Sequence, residues 1–211
     1  MGCLRCCSIL VAVVAVLLGA VYSGLLARSG ALQFLDSMDN GRGLRWRGEL
    51  PFLVPTPWLF TTKDIPDLTG QVILVTGGNS GMGYWTAVHL ARANATVVVA
   101  CRSLVKCQQA CADIEAEVSG IAKVVPMTLD LTSFASIRKF AKDFASNFTC
   151  LDSLILNAGV MLQPFQLTAD GLELTMGTNH FGHFLVTKLL LPLLEAAVTK
   201  HGVATVSVHS S

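Results

Sequence analysis

Hydrophobic positions follow two different patterns along the chain. Ser8 to Ala27, SILVAVVAVLLGAVYSGLLA, is apolar almost throughout and carries no charge. From Gln71 onward, short apolar runs alternate with stretches of helical period. VILVTGG (Val72–Gly78), ATVVVA (Ala95–Ala100), Lys123 to Leu129, LDSLIL (Leu151–Leu156) and Val203 to Val208 predict five strands. Ser80 to Ala93, Leu104 to Val118, Ser133 to Asn147 and Leu172 to Val198 predict helices, the last bent or broken before Pro192. Strands alternating with helices of this length imply right-handed βαβ units and a parallel sheet covered on both faces. Runs that are apolar at every position fit strands buried on both sides. The predicted fold is α/β: a Rossmann-type, doubly wound parallel sheet of five strands behind an N-terminal transmembrane helix.

The first apolar stretch has the length of a membrane span. A helix of that size extends roughly 30 Å at about 1.5 Å per residue, the thickness of a bilayer's hydrocarbon core. A cleaved signal peptide has a shorter apolar core of about 7–15 residues, so residues 1–28 are expected to be an uncleaved anchor closed by Arg28. Arg28, Arg42, Arg45 and Arg47 follow the span and only Arg5 precedes it, a bias that favours a cytosolic C-terminal domain. The sequons Asn94-Ala95-Thr96 and Asn147-Phe148-Thr149 would be used only in a lumenal domain, and motifs this short arise by chance. Cys3, Cys6 and Cys7 beside the anchor are candidates for palmitoylation, whereas Cys6 stands where myristoylation requires Ser or Thr. The expected location is a membrane, the endoplasmic reticulum or a related one. Residues 29–67 read as a connector, since the three prolines in Leu50 to Phe60 prevent a second spanning helix. Residues 68–211 are the expected nucleotide-binding domain. Lys188, Pro192 and Glu195 interrupt FLVTKLLLPLL, which is better explained as a helix covering the sheet.

Composition agrees with this division. Of 211 residues, 52% are hydrophobic and only 14% charged, against about a quarter charged in average soluble domains. Disorder, collagen and coiled coil are excluded. A net charge of +1 gives no electrostatic footprint for nucleic acid. The seven cysteines include no facing CxxC pairs at zinc spacing, so no metal site is expected and the cysteines are read as thiols.

The chemistry concentrates at the first strand-to-helix turn, Thr76-Gly77-Gly78-Asn79-Ser80-Gly81-Met82-Gly83. Gly77 permits a tight turn, Gly81 lets backbone approach a pyrophosphate, and Gly83 lets the helix pack closely on the sheet. The amides of Asn79, Ser80 and Met82 and the helix N-terminus are candidate phosphate contacts. An acidic residue after the second strand would hold the ribose 2′-hydroxyl of NAD. Ala100-Cys101-Arg102 stands there instead, and Arg102 suits a 2′-phosphate, so NADP is the expected cofactor.

Further motifs follow in order: Asp130-Leu131 after strand three, Asn157-Ala158-Gly159 after strand four, Asn179 in TNHFGHFLVT, and VSVHSS at strand five. Together with TGGNSGMG they resemble the short-chain dehydrogenase/reductases over Leu68 to Ser211. ACR and NHFGHF are most similar to the membrane-associated retinol-dehydrogenase-like and WW-domain-oxidoreductase-like members. The resemblance implies that Asp130 bonds the adenine amino group, that Leu131 lies near that ring, and that Asn157, Ala158 and Gly159 flank the cofactor. It further implies that Asn179 holds a helix kink and a relay water, and that Ser210, or Ser211 with the register shifted by one, orients the substrate oxygen. Leu156 stands where the family usually has a second Asn.

The family's general acid is the tyrosine of a Y-x-x-x-K motif, whose lysine lowers the tyrosine pKa. The only tyrosines here are Tyr22, in the anchor, and Tyr84, on the first helix, and neither starts that motif. Two expectations follow. One is a C-terminally incomplete, membrane-anchored, NADP-dependent oxidoreductase acting on a carbonyl or alcohol of a lipophilic small molecule. The other is a catalytically inactive nucleotide-binding protein with a regulatory or interaction role. The long helix around Asn179 forms the subunit interface in many relatives, which leaves a homodimer open.

Overall fold

The computed structural model describes residues 61–118 and 123–209. The expected anchor, the connector as far as residue 60, and Ser210 and Ser211 lie outside the described residues. Five strands, β1 (Val72–Thr76), β2 (Thr96–Cys101), β3 (Lys123–Thr128), β4 (Ser153–Leu156) and β5 (Thr205–Val208), form one parallel sheet in the order β3-β2-β1-β4-β5. Helices α1 (Gly81–Arg92), α2 (Leu104–Val118), α3 (Phe134–Asn147) and α4 (His183–His201) make the crossovers. A short helical turn (Leu174–Met176) and a π-helical turn (Gly177–Gly182) run directly into α4. The winding reverses between β1 and β4, and a sheet of this kind opens a crevice there, beyond the strands' carboxyl ends.

Alternation along the strands divides the core in two, because successive side chains point to opposite faces. Ile73, Val75, Val97 and Val99 pack under Ala87 and Val88 of α1 and Cys107 and Ile114 of α2. Leu74, Val98 and Leu154 face the other way, under Phe140 and Phe144 of α3 and Val186 and Leu190 of α4. Each such large side chain stabilises the fold by roughly 1.5–3 kcal/mol through burial. The continuous apolar runs of β1 and β2 are therefore explained by helices on both faces. α4 with its preceding turns is long and apolar enough to cross a membrane by length and composition. In this structure it lies against α3 and β4 and buries Val186, Leu190, Leu194 and Ala197.

Two expectations are corrected. The long helix does not break at Pro192, because α4 runs through it from His183 to His201. Pro192 and Lys188 are both exposed, and on the solvent side of a helix water can replace the donor that a proline removes. The irregularity falls earlier, at Gly177–Gly182. The second correction concerns Cys101 and Cys107, expected as thiols, which form a disulfide with their Cα atoms 5.9 Å apart. The buried face of α2 lies along β2 and brings Cys107 back over the strand end. Among the described residues Cys111 and Cys150 are free and buried, and burial pushes the Cys111 thiol up to about 12.

The amino ends of β1 and β4 are tied by one buried carboxylate. Val72 N–H donates to Asp152 Oδ2 at 2.8 Å, and His201 Nδ1 meets Oδ1. The Asp152 backbone adds a bond to Val72 O at 2.8 Å and accepts one from Thr205 N–H at 2.9 Å. One residue thus joins β1, β4, β5 and the end of α4.

Candidate functional site

At the carboxyl ends of the strands the chain must leave β1 and enter α1 within a few residues. Gly77 makes the turn at φ +66° and Gly81 enters the helix at φ +57°, conformations that side chains with a Cβ rarely hold. A Cβ on Gly77 would also lie 2.9 Å from Ala158 Cα. A Cβ on Gly83 would lie 2.6 Å from the Gly77 carbonyl oxygen, so the first turn of α1 rests on the glycine turn itself. Around Gly81 the space is open. Ser80, the cap residue, makes no side-chain bond to the helix amides. The N-terminus of α1 therefore keeps donors available for an anion.

A cavity of about 330 Å³ opens beside this turn. Gly77, Asn79 and Ser80 line one side, and Arg102 enters from beyond β2. Asp130 and Leu131 line it from the end of β3, and Asn157, Ala158 and Gly159 from the end of β4. Gly81, Met82 and Gly83 belong to the turn but do not line the cavity, and Asn179 stands next to it. Loops from four strands thus bring together most of the residues the sequence singled out. A larger hollow of about 560 Å³ lies along α3, bordered by Lys139, Asp143 and Ser146. None of the predicted site residues lines it.

The polar groups of the site hold one another. The Asp130 carboxylate accepts from Thr132 N–H at 2.9 Å and from its hydroxyl at 2.7 Å. Arg102 is exposed at the rim. Asn157 Nδ2 donates to the carbonyls of Thr76 at 3.0 Å and Gly77 at 3.4 Å, which fastens the glycine turn to the β4 loop. Asn179 clamps the Val160 backbone with two bonds, accepting its N–H at 2.9 Å and donating to its carbonyl at 2.8 Å. Among the described residues, no cluster of three or more His, Cys, Asp or Glu has a metal-binding arrangement.

Two residues without a role in the sequence reading occupy the middle of this network. The Thr76 hydroxyl, fully buried, accepts from Asn157 N–H and Ala158 N–H, both at 3.0 Å. His183, 5% exposed, lies 3.1 Å from the Thr76 hydroxyl through Nε2 and 3.1 Å from the Asn179 carbonyl through Nδ1. Burial lowers its pKa, with a smaller opposing effect from the bond to Asn179. Gly182 completes the group: a Cβ there would lie 2.6 Å from the Leu131 carbonyl oxygen. All three stand inside the quoted motifs TGG and NHFGHF. The signal was their position in those strings; their contacts exist only across the sheet.

The sequence profile of the short chain dehydrogenases matches residues 71–211. The chain belongs to the short-chain dehydrogenase family. An uncharacterized oxidoreductase of Schizosaccharomyces pombe is 41% identical over 175 residues, which cover 82% of this chain and 48% of that protein. Retinol dehydrogenase 11 of Mus musculus is 48% identical over 128 residues, covering 61% of this chain and 40% of that one. Retinol dehydrogenases 12 and 13 are similar to a comparable degree, so this member of the family is retinol-dehydrogenase-like. Among solved structures, a short chain dehydrogenase from Escherichia coli CFT073 complexed with NADPH matches with a TM-score of 0.52. It is 30% identical, and the match covers 61% of this chain and 55% of that one. The chain spans about half the length of the curated relatives it matches, or less.

Proposed function

We propose that this short-chain dehydrogenase is a membrane-anchored oxidoreductase that binds NADP(H) and acts on an alcohol or carbonyl of a lipophilic small molecule. The carrying observation is the crevice between β1 and β4, with a glycine turn on one side and Arg102 at the rim. Gly77, Gly81 and Gly83 bring the α1 amides, with Asn79, Ser80 and Met82, to a pyrophosphate. Arg102 pairs with a 2′-phosphate where an NAD-specific site would need a carboxylate. Asp130 and Leu131 receive the adenine, and Asn157, Ala158 and Gly159 flank the nicotinamide half. When bound, the nicotinamide supplies or accepts hydride. Asn179 keeps the helix turn beside that reaction in place, and Ser210 orients the substrate oxygen. The lipophilic substrate and the membrane are supported by the expected anchor at residues 1–28 and by similarity to retinol dehydrogenases. Phe181, Phe184 and Leu191 are exposed around the start of α4, an apolar surface suited to a homodimer.

No Y-x-x-x-K motif, the family's acid–base pair, occurs within residues 1–211. Tyr84 is on α1, where burial and then Glu117 and Asp113 raise its pKa, which is the wrong direction for a proton donor at neutral pH. The 211-residue chain is therefore expected to bind NADPH without turning over substrate. Fluorescence titration with NADPH and NADH tests the cofactor reading. Arg102→Ala should weaken NADPH binding by about tenfold, the loss of one charge-assisted contact, and leave NADH unchanged. Tighter binding of NADH than NADPH by the wild-type chain would refute the proposal. NADPH oxidation with an aldehyde or ketone panel would show that a proton donor is present after all.

A further inference from the structure

The π-helical turn Gly177–Gly182 disturbs the regular bonding of backbone carbonyls, and side chains bond two of them. Thr178 Oγ1 donates to the Leu174 carbonyl at 2.7 Å, and His183 Nδ1 lies 3.1 Å from the Asn179 carbonyl. A carbonyl oxygen can only accept, so Nδ1 carries the proton. In a neutral ring Nε2 is then an acceptor, and the group facing it at 3.1 Å is the Thr76 hydroxyl. That hydroxyl already accepts two amides, from Asn157 and Ala158, which occupy its two lone pairs. Its single proton is left to donate, with His183 Nε2 at 3.1 Å nearer than the alternative Ile155 carbonyl at 3.4 Å. The directions are thus consistent along the whole chain, from the Asn157 and Ala158 amides through Thr76 and His183 to the Asn179 carbonyl. No buried side-chain polar atom among the described residues lacks a partner.

We propose that His183 is a positioning residue for the cofactor platform: a neutral Nδ1–H imidazole that spaces the Asn179 turn from Thr76 and so fixes the Asn157–Gly159 loop against the glycine turn. Asn179 holds the same loop from the other side through Val160. Among the described residues, the side-chain bonds that hold this loop lead to the end of β1 with its glycine turn or to the π-helical turn before α4, and His183 is the side chain that joins those two. The residue is 5% exposed, and among the described residues no charged side chain bonds the ring, so the spacing is set by shape and two directed bonds. The inference rests on the proposal that this loop flanks NADP(H).

Two substitutions separate the two bonds. His183→Gln places an amide oxygen near Nε2 and keeps the contact to Thr76. His183→Asn places an amide nitrogen near Nδ1 and keeps the contact to Asn179 alone. With the full 211-residue chain and NADPH fluorescence, His183→Asn and His183→Gln should each raise the Kd about tenfold, since each loses one of the two buried hydrogen bonds that join the Asn179 turn to Thr76. A merely structural histidine would lower both melting temperatures and leave both Kd values at that of the wild type, and that result overturns the proposal. The ring tautomer is read independently, from the side-chain ¹⁵N resonances of the wild-type chain without cofactor. A protonated Nδ1 beside an unprotonated Nε2 at pH 7.5 is expected; the opposite tautomer or an imidazolium overturns the proposal. Failure of the wild-type chain to bind NADPH would remove the cofactor reading and the positioning role with it. The ring resonances would still decide the hydrogen-bond chain.

Discussion

β1 and β4 are locked together at both ends by buried polar groups, and the two locks differ in charge. At the amino ends the lock is the Asp152 carboxylate, which receives Val72 N–H and His201. At the carboxyl ends it is a hydroxyl, an imidazole and backbone amides, centred on Thr76 and His183. A buried carboxylate is a strong fastener when donors surround it. Placed beneath the crevice it would also repel the phosphates proposed to bind there. The end facing away from the crevice uses charge, and the end facing the crevice uses neutral dipoles that satisfy one another.

This contrast predicts that damage to the two ends separates stability from binding. Asp152→Ala should have the largest effect on folding, about 3 kcal/mol in chemical denaturation, because it strands the Val72 amide and a partly buried His201. The surviving folded fraction should bind NADPH as the wild type does, and a weakened Kd would break the comparison. Gly83→Ala should cost about 2 kcal/mol through forced overpacking against the Gly77 carbonyl. It should also raise the NADPH Kd by roughly tenfold or more, since the turn itself moves. Thr76→Val should destabilise by about 1.5 kcal/mol, less than Asp152→Ala, because water from the cavity can reach the freed amides. Unlike Asp152→Ala it should also weaken NADPH binding, and equal Kd values for the two variants would remove the distinction.

The smallest effect expected is on pH dependence. The folded-state pKa of His183 lies below the ordinary value of 6.5 because the ring is buried. Below about pH 6.5 the unfolded chain takes up a proton that the folded chain refuses. Stability is thus complete above that pH and falls as the pH drops towards the folded pKa, by at most about 1.4 kcal/mol per pH unit for this one group. His89 contributes with the same sign, its pKa lowered by burial and then by Arg92. Glu173 acts in a separate, lower window. Its carboxylate caps Thr175 and Met176, which holds its pKa below 4.5, so its contribution is lost only under more acid conditions. His183→Gln should flatten the slope between pH 6.5 and 5 measured by denaturation. An unchanged slope would mean that the neutral lock is insensitive to protonation.

The sheet was readable because its strands carry short continuous apolar runs, clearest in β1 and β2, and its helices are periodic. The predicted strands and first three helices match the observed ones to within a few residues, α2 coincides at both ends, and the predicted fourth helix opens on the two turns that precede α4. The glycine turn was equally legible, since Gly77 and Gly81 hold positive φ and glycine identity reports such geometry directly. Pro192 misled because proline identity says nothing about whether the orphaned carbonyl faces solvent. Cys101 and Cys107 misled because sequence spacing alone does not say that α2 folds back on the end of β2. Thr76 and His183 had no role of their own in the sequence reading, because their contacts are not local. Their partners are about 80 and 107 positions away.

The sequence by itself determined the parallel α/β layering, the glycine turn and the family, because each is written in local residue type and order. Only the tertiary structure decided which polar groups meet: that Asp152 ties the closed end of the sheet, and that a histidine and a threonine tie the open one. Hydrophobic periodicity is a local property of the chain and survives in the string of letters. A buried hydrogen bond depends on donor and acceptor arriving within about 3 Å of each other from distant elements, and only the packed sheet and helices bring them there.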